Sequence, residues 1–182
     1  MKKVMIDIES LSLAPNALIL SIGAVFFDDK ELGAQFYAGI DAYKQSNRHV
    51  SASTALWWIR QAAQNPAAAA ALFDGAHYTL SAALTALRDF AMPREPHELE
   101  FWFNGPQFDV VVLDNAYAEA GITPPWKYND VRDCRTVFKL AEAKGWDSSR
   151  IDSTAFTAHS ALADARLQAL RTISAMKFLG ID

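Results

Sequence analysis

The chain has 182 residues, 51% of them hydrophobic and 21% charged, with a net charge of −4. This is the balance of one globular domain with a substantial core, and it excludes a disordered chain. A single cysteine, Cys134, excludes an intrachain disulfide, and no apolar run is long enough to read as a transmembrane helix.

The opening MKKVMIDIES carries two lysines but no long apolar core and no small-residue cleavage site, so it does not read as a secretory signal. The expected location is the cytoplasm. KKVMIDIES reads as a buried strand, and residues 17–29 (ALILSIGAVFFDD) read as a second, rich in β-branched and aromatic side chains. Pro15 and Asn16 mark the turn between them, and residues 33–40 form a third strand, so the three predict an antiparallel meander. A helix follows over 51–64, capped by Ser51 or Ser53. Pro66 opens an alanine-rich helix over 66–73, and an amphipathic helix over 79–92 aligns Leu80, Leu84, Leu87 and Ala91. Residues 92–100 read as a surface loop, 100–104 as a short strand, and 106–120 as a helix ended by Gly121. A strand over 129–134 leads into a helix over 135–144. After a loop over 145–157, the last helix, 159–178, lines Leu162, Ala165, Ala169, Ile173 and Met176 along one face. No repeat or linker interrupts residues 1–182. The expectation is a single α/β domain with a mixed five-stranded sheet, meander first and parallel strands after, flanked by helices.

Three places put carboxylates where stability alone would not. Asp7 and Glu9 are two apart on an apolar strand and share one face, while Ile6 and Ile8 take the other. Like charges on one face repel and lose solvation, although a D-x-E pair is also what the solvent side of an edge strand looks like. Asp109 falls in the first turn of the 106–120 helix, where an acid also suits the helix dipole; Asp114, further along, reads as a surface residue. His159 and Asp164 are five apart, roughly 140° around a continuous helix, so they converge only if His159 lies at or before the helix start, with Thr157 or Ser160 as cap. Brought together, Asp7, Glu9, Asp109 and Asp164 require cations. Oxygen donors without a cysteine pair select two Mg²⁺ or Mn²⁺ ions rather than zinc. A net charge of −4 weighs mildly against nucleic-acid binding, but setting those four acids aside leaves 17 acidic against 17 basic residues.

These segments resemble, in order, the three motifs of the DnaQ-like 3′→5′ exonucleases of the DEDD superfamily. They are D-x-E at Asp7–Glu9, N-x-x-x-F-D from Asn104 through Phe108 to Asp109, and H-x-x-x-x-D from His159 to Asp164. The histidine marks the DEDDh subgroup, and the resemblance implies a ribonuclease H-like fold. MIDIESLSLAPNALILSIGAVFFD, TALWWIRQ and NDVRDCRT further resemble exodeoxyribonuclease VIII-like proteins and the RNase AS and RNase T groups, with Ser10 where threonine is frequent.

The resemblance implies that Asp7 bridges two metal ions, Glu9 and Asp164 complete one shell, and Asp109 supports the other. His159 is then the general base in the release of nucleoside 5′-monophosphates from single-stranded 3′ ends of DNA or RNA. It also implies contacts from Ser10 and Leu11 to the 3′-terminal nucleotide, and a homodimer. Trp57 and Trp58 project about 100° apart on a helix, so one reads as core and the other reads either as core as well or as a platform on which a terminal base stacks. Asn104 and Phe108 belong to the second motif; Phe103 beside it reads equally as packing. Arg132 and Arg135 read either as phosphate contacts or as salt-bridge residues. The competing expectations are a ribonuclease H-type endonuclease and a catalytically silent DnaQ-like nucleic-acid-binding module.

Overall fold

The computed structural model describes residues 2–66, 70, 77–92, 98–151, 156 and 159–181. The strands are β1 (Lys3–Ser10), β2 (Ile19–Phe27), β3 (Leu32–Ile40), β4 (His77–Tyr78), β5 (Glu100–Phe103) and β6 (Val131–Asp133). The helices are α1 (Ala52–Gln64), α2 (Leu80–Phe90), α3 (Pro106–Ala120), α4 (Cys134–Glu142) and α5 (Ala161–Leu179). The sheet order is β4-β3-β2-β1-β5-β6. The expected mixed sheet is present, antiparallel through β1, β2 and β3 and parallel from β1 to β5 and β6, and a two-residue strand, β4, extends its edge. This is the α/β, ribonuclease H-like arrangement.

β1 is central, and Val4, Met5 and Ile6 are fully buried. Its two faces meet different layers. Val4, Ile6 and Ile8 pack with Leu84 and Leu87 of α2 and Val112, Leu113 and Ala116 of α3. Met5 packs on the other side with Val25, Phe27 and Trp102 and with Ala165 and Ala169 of α5. Asp7 and Glu9 therefore project on the α5 side. β5 pairs only with Lys3, Val4 and Met5, so β1 runs on beyond its parallel neighbour. A crevice at the carboxyl ends of parallel strands is where α/β folds seat their ligands.

Gly23 permits α5 to reach that crevice. It pairs with Asp7 across β1 and β2, and a Cβ built on it would overlap the backbone of Ala161 and Leu162. The absent side chain lets the first turn of α5 rest on the sheet. Gly23→Ala is expected to cost about 1–3 kcal/mol or more by overpacking. That lowers the melting temperature by roughly 2–4 °C per kcal/mol in a chain of this size. It is also expected to displace Asp164 and remove the activity that depends on it; thermal denaturation and an activity assay on one preparation test both.

Arg48 fastens a second junction. Its buried guanidinium donates to the Ala17 carbonyl at 2.7 Å, to Glu119 at 2.6 Å and to Asn115 at 3.2 Å, tying the segment before β2 to α3.

Several expected details change. The strand expected over 129–134 is shorter, because the Asp133 carboxylate accepts from the Arg135 amide and starts α4 at Cys134. Ser51 occupies the N-cap position of α1 but makes no cap hydrogen bond; its hydroxyl meets Ser53 at 2.8 Å. The last helix begins at Ala161, with Ser160 in the N-cap position and no side-chain cap bond. Thr157, most of the 66–73 helix, and parts of the 92–100 and 145–157 loops lie outside the described residues. No helix among the described residues is long and apolar enough to cross a membrane.

Candidate active site

The four acids and the histidine line one cavity of about 310 Å³. Asp7 and Glu9 come from the end of β1. Asp109 enters in the first turn of α3, which Gly105 starts at φ +102° with Pro106 following. Pro106 suits that position because its missing N–H is not needed there. Asp164 comes from the first turn of α5.

His159 precedes the helix, and its φ of +64° turns the chain back toward its own acid. The His159 N–H donates to Asp164 Oδ2 at 3.0 Å. The five-residue spacing that fails on a continuous helix works because the left-handed backbone at His159 sets it off the helix axis. Histidine is among the non-glycine residues more often found in that conformation.

The electrostatics are those of crowded, partly desolvated carboxylates. Burial raises Asp7 well above the ordinary carboxylate range, and the neighbouring charges of Asp109 and Glu9 raise it further. Glu9 is pushed up to about 8 by burial, then by Asp164 and Asp109. Burial lifts Asp109 to about 7 against the pull of nearby backbone amides and Arg135. Asp164 is also raised by burial, with the His159 amide and imidazole and Arg171 opposing. Within the cluster Gln168 is a neutral stabiliser: its Nε2 donates to Asp7 Oδ1 at 2.8 Å. Its Oε1 is buried and has no partner among the described residues.

This donor set fits hard divalent cations. One ligand atom each from Glu9, His159 and Asp164 lies within 4.8 Å of the others. Asp7 and Asp109 add carboxylates beside them, and carboxylate-rich sites suit Mg²⁺ or Mn²⁺. Burial leads in raising all four acids, and neighbouring carboxylates add to it at Asp7 and Glu9.

A second cavity, about 340 Å³, adjoins the first through Ile8, Glu9 and Phe108. Its outer walls are Leu13, Ser53, Thr54, Trp57 and Trp58. Trp58 is the buried member of the pair, and its indole N–H donates to the Ser10 carbonyl at 2.9 Å. Trp57 is 39% exposed and meets the His159 ring edge-on, with centroids 4.8 Å apart. A larger groove of about 620 Å³ lies around Val110 and Trp126 and holds none of the four acids.

The remaining expected contact residues separate. Ser10 and Phe108 line the second cavity, and Asn104 and Phe108 line the first. Leu11 lines neither, and its N–H is already given to the Leu18 carbonyl at 2.9 Å. Phe103 is core. Asp114 is exposed, as its place along α3 implied, and accepts from the Trp126 indole. Arg132 is held structurally by Glu100 at 3.4 Å and by the Asn129 carbonyl at 2.7 Å, whereas Arg135 lines the acid cavity. Gln168 and Arg171 also line that cavity, and the sequence reading passed over both. The signal was present: Asp164, Gln168 and Arg171 stand at i, i+4 and i+7, a polar line on a helix read only for its apolar stripe.

No curated protein gives a significant match to the chain. The family model of the 3′–5′ exoribonuclease Rv2179c-like domain matches residues 2–175, nearly the whole chain, and the protein belongs to that family of nucleases.

Proposed function

We propose that the protein is a divalent-metal-dependent 3′→5′ exonuclease that acts on single-stranded RNA ends and releases nucleoside 5′-monophosphates. The observation that carries this reading is the convergence of Asp7, Glu9, Asp109 and Asp164 with His159 in one cavity. The exoribonuclease family favours RNA over DNA as the preferred strand.

Asp7, Glu9, Asp109 and Asp164 would hold the metal. When bound, the divalent ions supply charge neutralisation at the scissile phosphate and acidification of the attacking water. His159 takes the proton from that water as its oxygen bonds to phosphorus. The bond from phosphorus to the upstream 3′ oxygen breaks, and that oxygen is protonated from solvent, so the phosphate stays on the released nucleotide. The cavity under Trp57 receives the terminal base, where stacking on an aromatic ring is worth about 1–3 kcal/mol. Trp57 also touches His159, so the residue that seats the base and the residue that takes the proton are neighbours.

The test is digestion of single-stranded RNA labelled at either end, with Mg²⁺ or with EDTA. The expected result is early release of the 3′ label as a mononucleotide, a ladder shortening from the 3′ end, and silence in EDTA. Activity that persists in EDTA, or cuts in a circular single strand, would overturn the proposal; the second result would point to an endonuclease. Matched DNA is expected to be the poorer substrate.

A further inference from the structure

Two arginines, Arg135 and Arg171, line the acid cavity. We infer that Arg135 and Arg171 bind the phosphates immediately upstream of the scissile bond, so that the strand leaves the site between α4 and α5. This rests on the exonuclease reading above and adds a direction to it.

The two cavities form one trough with unlike ends. Leu13, Ser53 and Trp57 wall the apolar end, which has room for one terminal nucleoside. The acids line the other cavity, with Glu9 in both, and Arg135 from α4 and Arg171 from α5 line that acid cavity but not the apolar one. If the 3′-terminal residue enters the apolar end, the rest of the strand has to leave by the other. Its phosphates then pass beside four carboxylates, and positive charge at the exit offsets that repulsion.

The two guanidinium groups are placed for this task. Arg135 donates Nε to Asn104 Oδ1 at 3.2 Å. It also lies over Gly105, where an added Cβ would come within 3.0 Å of Nη1. Those contacts orient the group, and its terminal amino groups have no partner among the described residues. Arg171 lies one turn beyond Gln168; its Nε is buried and unpartnered among the described residues. Neither arginine forms an ion pair with a described carboxylate. Arg132 is tied to Glu100; Arg166 shares with Arg171 a buried, unpartnered Nε among the described residues but lies over the Phe156 ring at 5.2 Å and does not line the acid cavity. A guanidinium with unpaired amino groups presents the fork that matches a phosphate.

The test compares single-stranded RNA of two and ten nucleotides lacking a 5′ phosphate, digested by the full chain with Mg²⁺. The dinucleotide has only the scissile phosphate, so it cannot use the exit. Arg135→Ala and Arg171→Ala are each expected to lower the decamer-to-dinucleotide ratio of kcat/KM by about fivefold or more. Each is expected to reduce the salt slope of decamer KM by about 0.7. Lysine at either position should retain most of that slope. Equal losses on both lengths, or an unchanged salt slope, would overturn the assignment. An unaltered chain that shortens neither RNA would overturn the exonuclease reading itself; one that digests both while the variants keep its length dependence overturns only the arginine exit.

Discussion

Replacing Asp7 with asparagine is expected to abolish phosphodiester hydrolysis and to stabilise the metal-free protein at pH 8. The two effects share one cause. Asp7 is raised first by burial and then by the charges of Asp109 and Glu9, so its ionised form is unfavourable without a counter-charge. An acid whose folded pKa is raised contributes stability that is complete below its unfolded pKa, near 4, and that is lost as pH rises through the folded value. With Glu9 at about 8 and Asp109 at about 7, metal-free stability falls across roughly pH 4 to 8. The substituted amide still offers an oxygen to Gln168 but removes one charge. Melting curves in EDTA should show the variant higher by about 3 °C or more at pH 8, with the gap closing toward pH 4. Mg²⁺ should raise the unaltered chain at pH 8 far more than the variant. The rate should fall by at least about 10³-fold, since charge stabilisation of this kind is worth several kcal/mol and each 1.36 kcal/mol is tenfold. A variant less stable than the unaltered chain in EDTA at pH 8 would show that Asp7 is not under this repulsion.

His159→Ala is expected to lower the rate by about 10²–10⁴-fold, the usual worth of a positioned general base. The Mg²⁺-induced rise in melting temperature should survive. The bond that aligns Asp164 comes from the backbone N–H of residue 159, and alanine retains it. Backbone strain needs its own control, because φ is +64° here and a left-handed residue costs about 1–2 kcal/mol without glycine. Asparagine tolerates that conformation better. His159→Asn should therefore be as inactive as the alanine variant but melt higher. If the metal response disappears in both variants, the imidazole serves as a metal ligand with Glu9 and Asp164, and its role as base is wrong.

What the sequence made legible was local. Period-two alternation in β1 correctly set Asp7 and Glu9 against Ile6 and Ile8, because strand geometry alone fixes which side chains share a face. The 106–120 helix was readable from Pro106 and Gly121, and the angle between Trp57 and Trp58 left open whether both or only one is core, which the structure settles with Trp58 buried and Trp57 39% exposed. The need for His159 to stand off its helix was a geometric deduction that the structure meets with a positive φ. What stayed hidden was long-range. Gly23 reads as an ordinary strand residue until the backbone of α5 lies on it. Gln168 and Asp7 are 161 residues apart, and no local pattern pairs them. Arg132 and Arg135 were indistinguishable as neighbours in sequence. Pairing with Glu100 on the adjacent strand engages one and leaves the other facing the acids.

The tryptophan helix gives the trough a division of labour. None of the four acids belongs to α1, which reaches the sheet through the indole of Trp58 on the Ser10 carbonyl. On the proposed reading, changes at most of its positions alter which terminal residues are accepted and leave the hydrolytic groups in place. Trp57 and Trp58 are the exceptions, because both rings meet His159 edge-on. Selection for a new terminal residue that acts there alters turnover at the same stroke. Leu13, Ser53 and Thr54 line the same cavity without that ring contact, and on the proposed reading they are the positions at which substitution changes the substrate range with turnover retained.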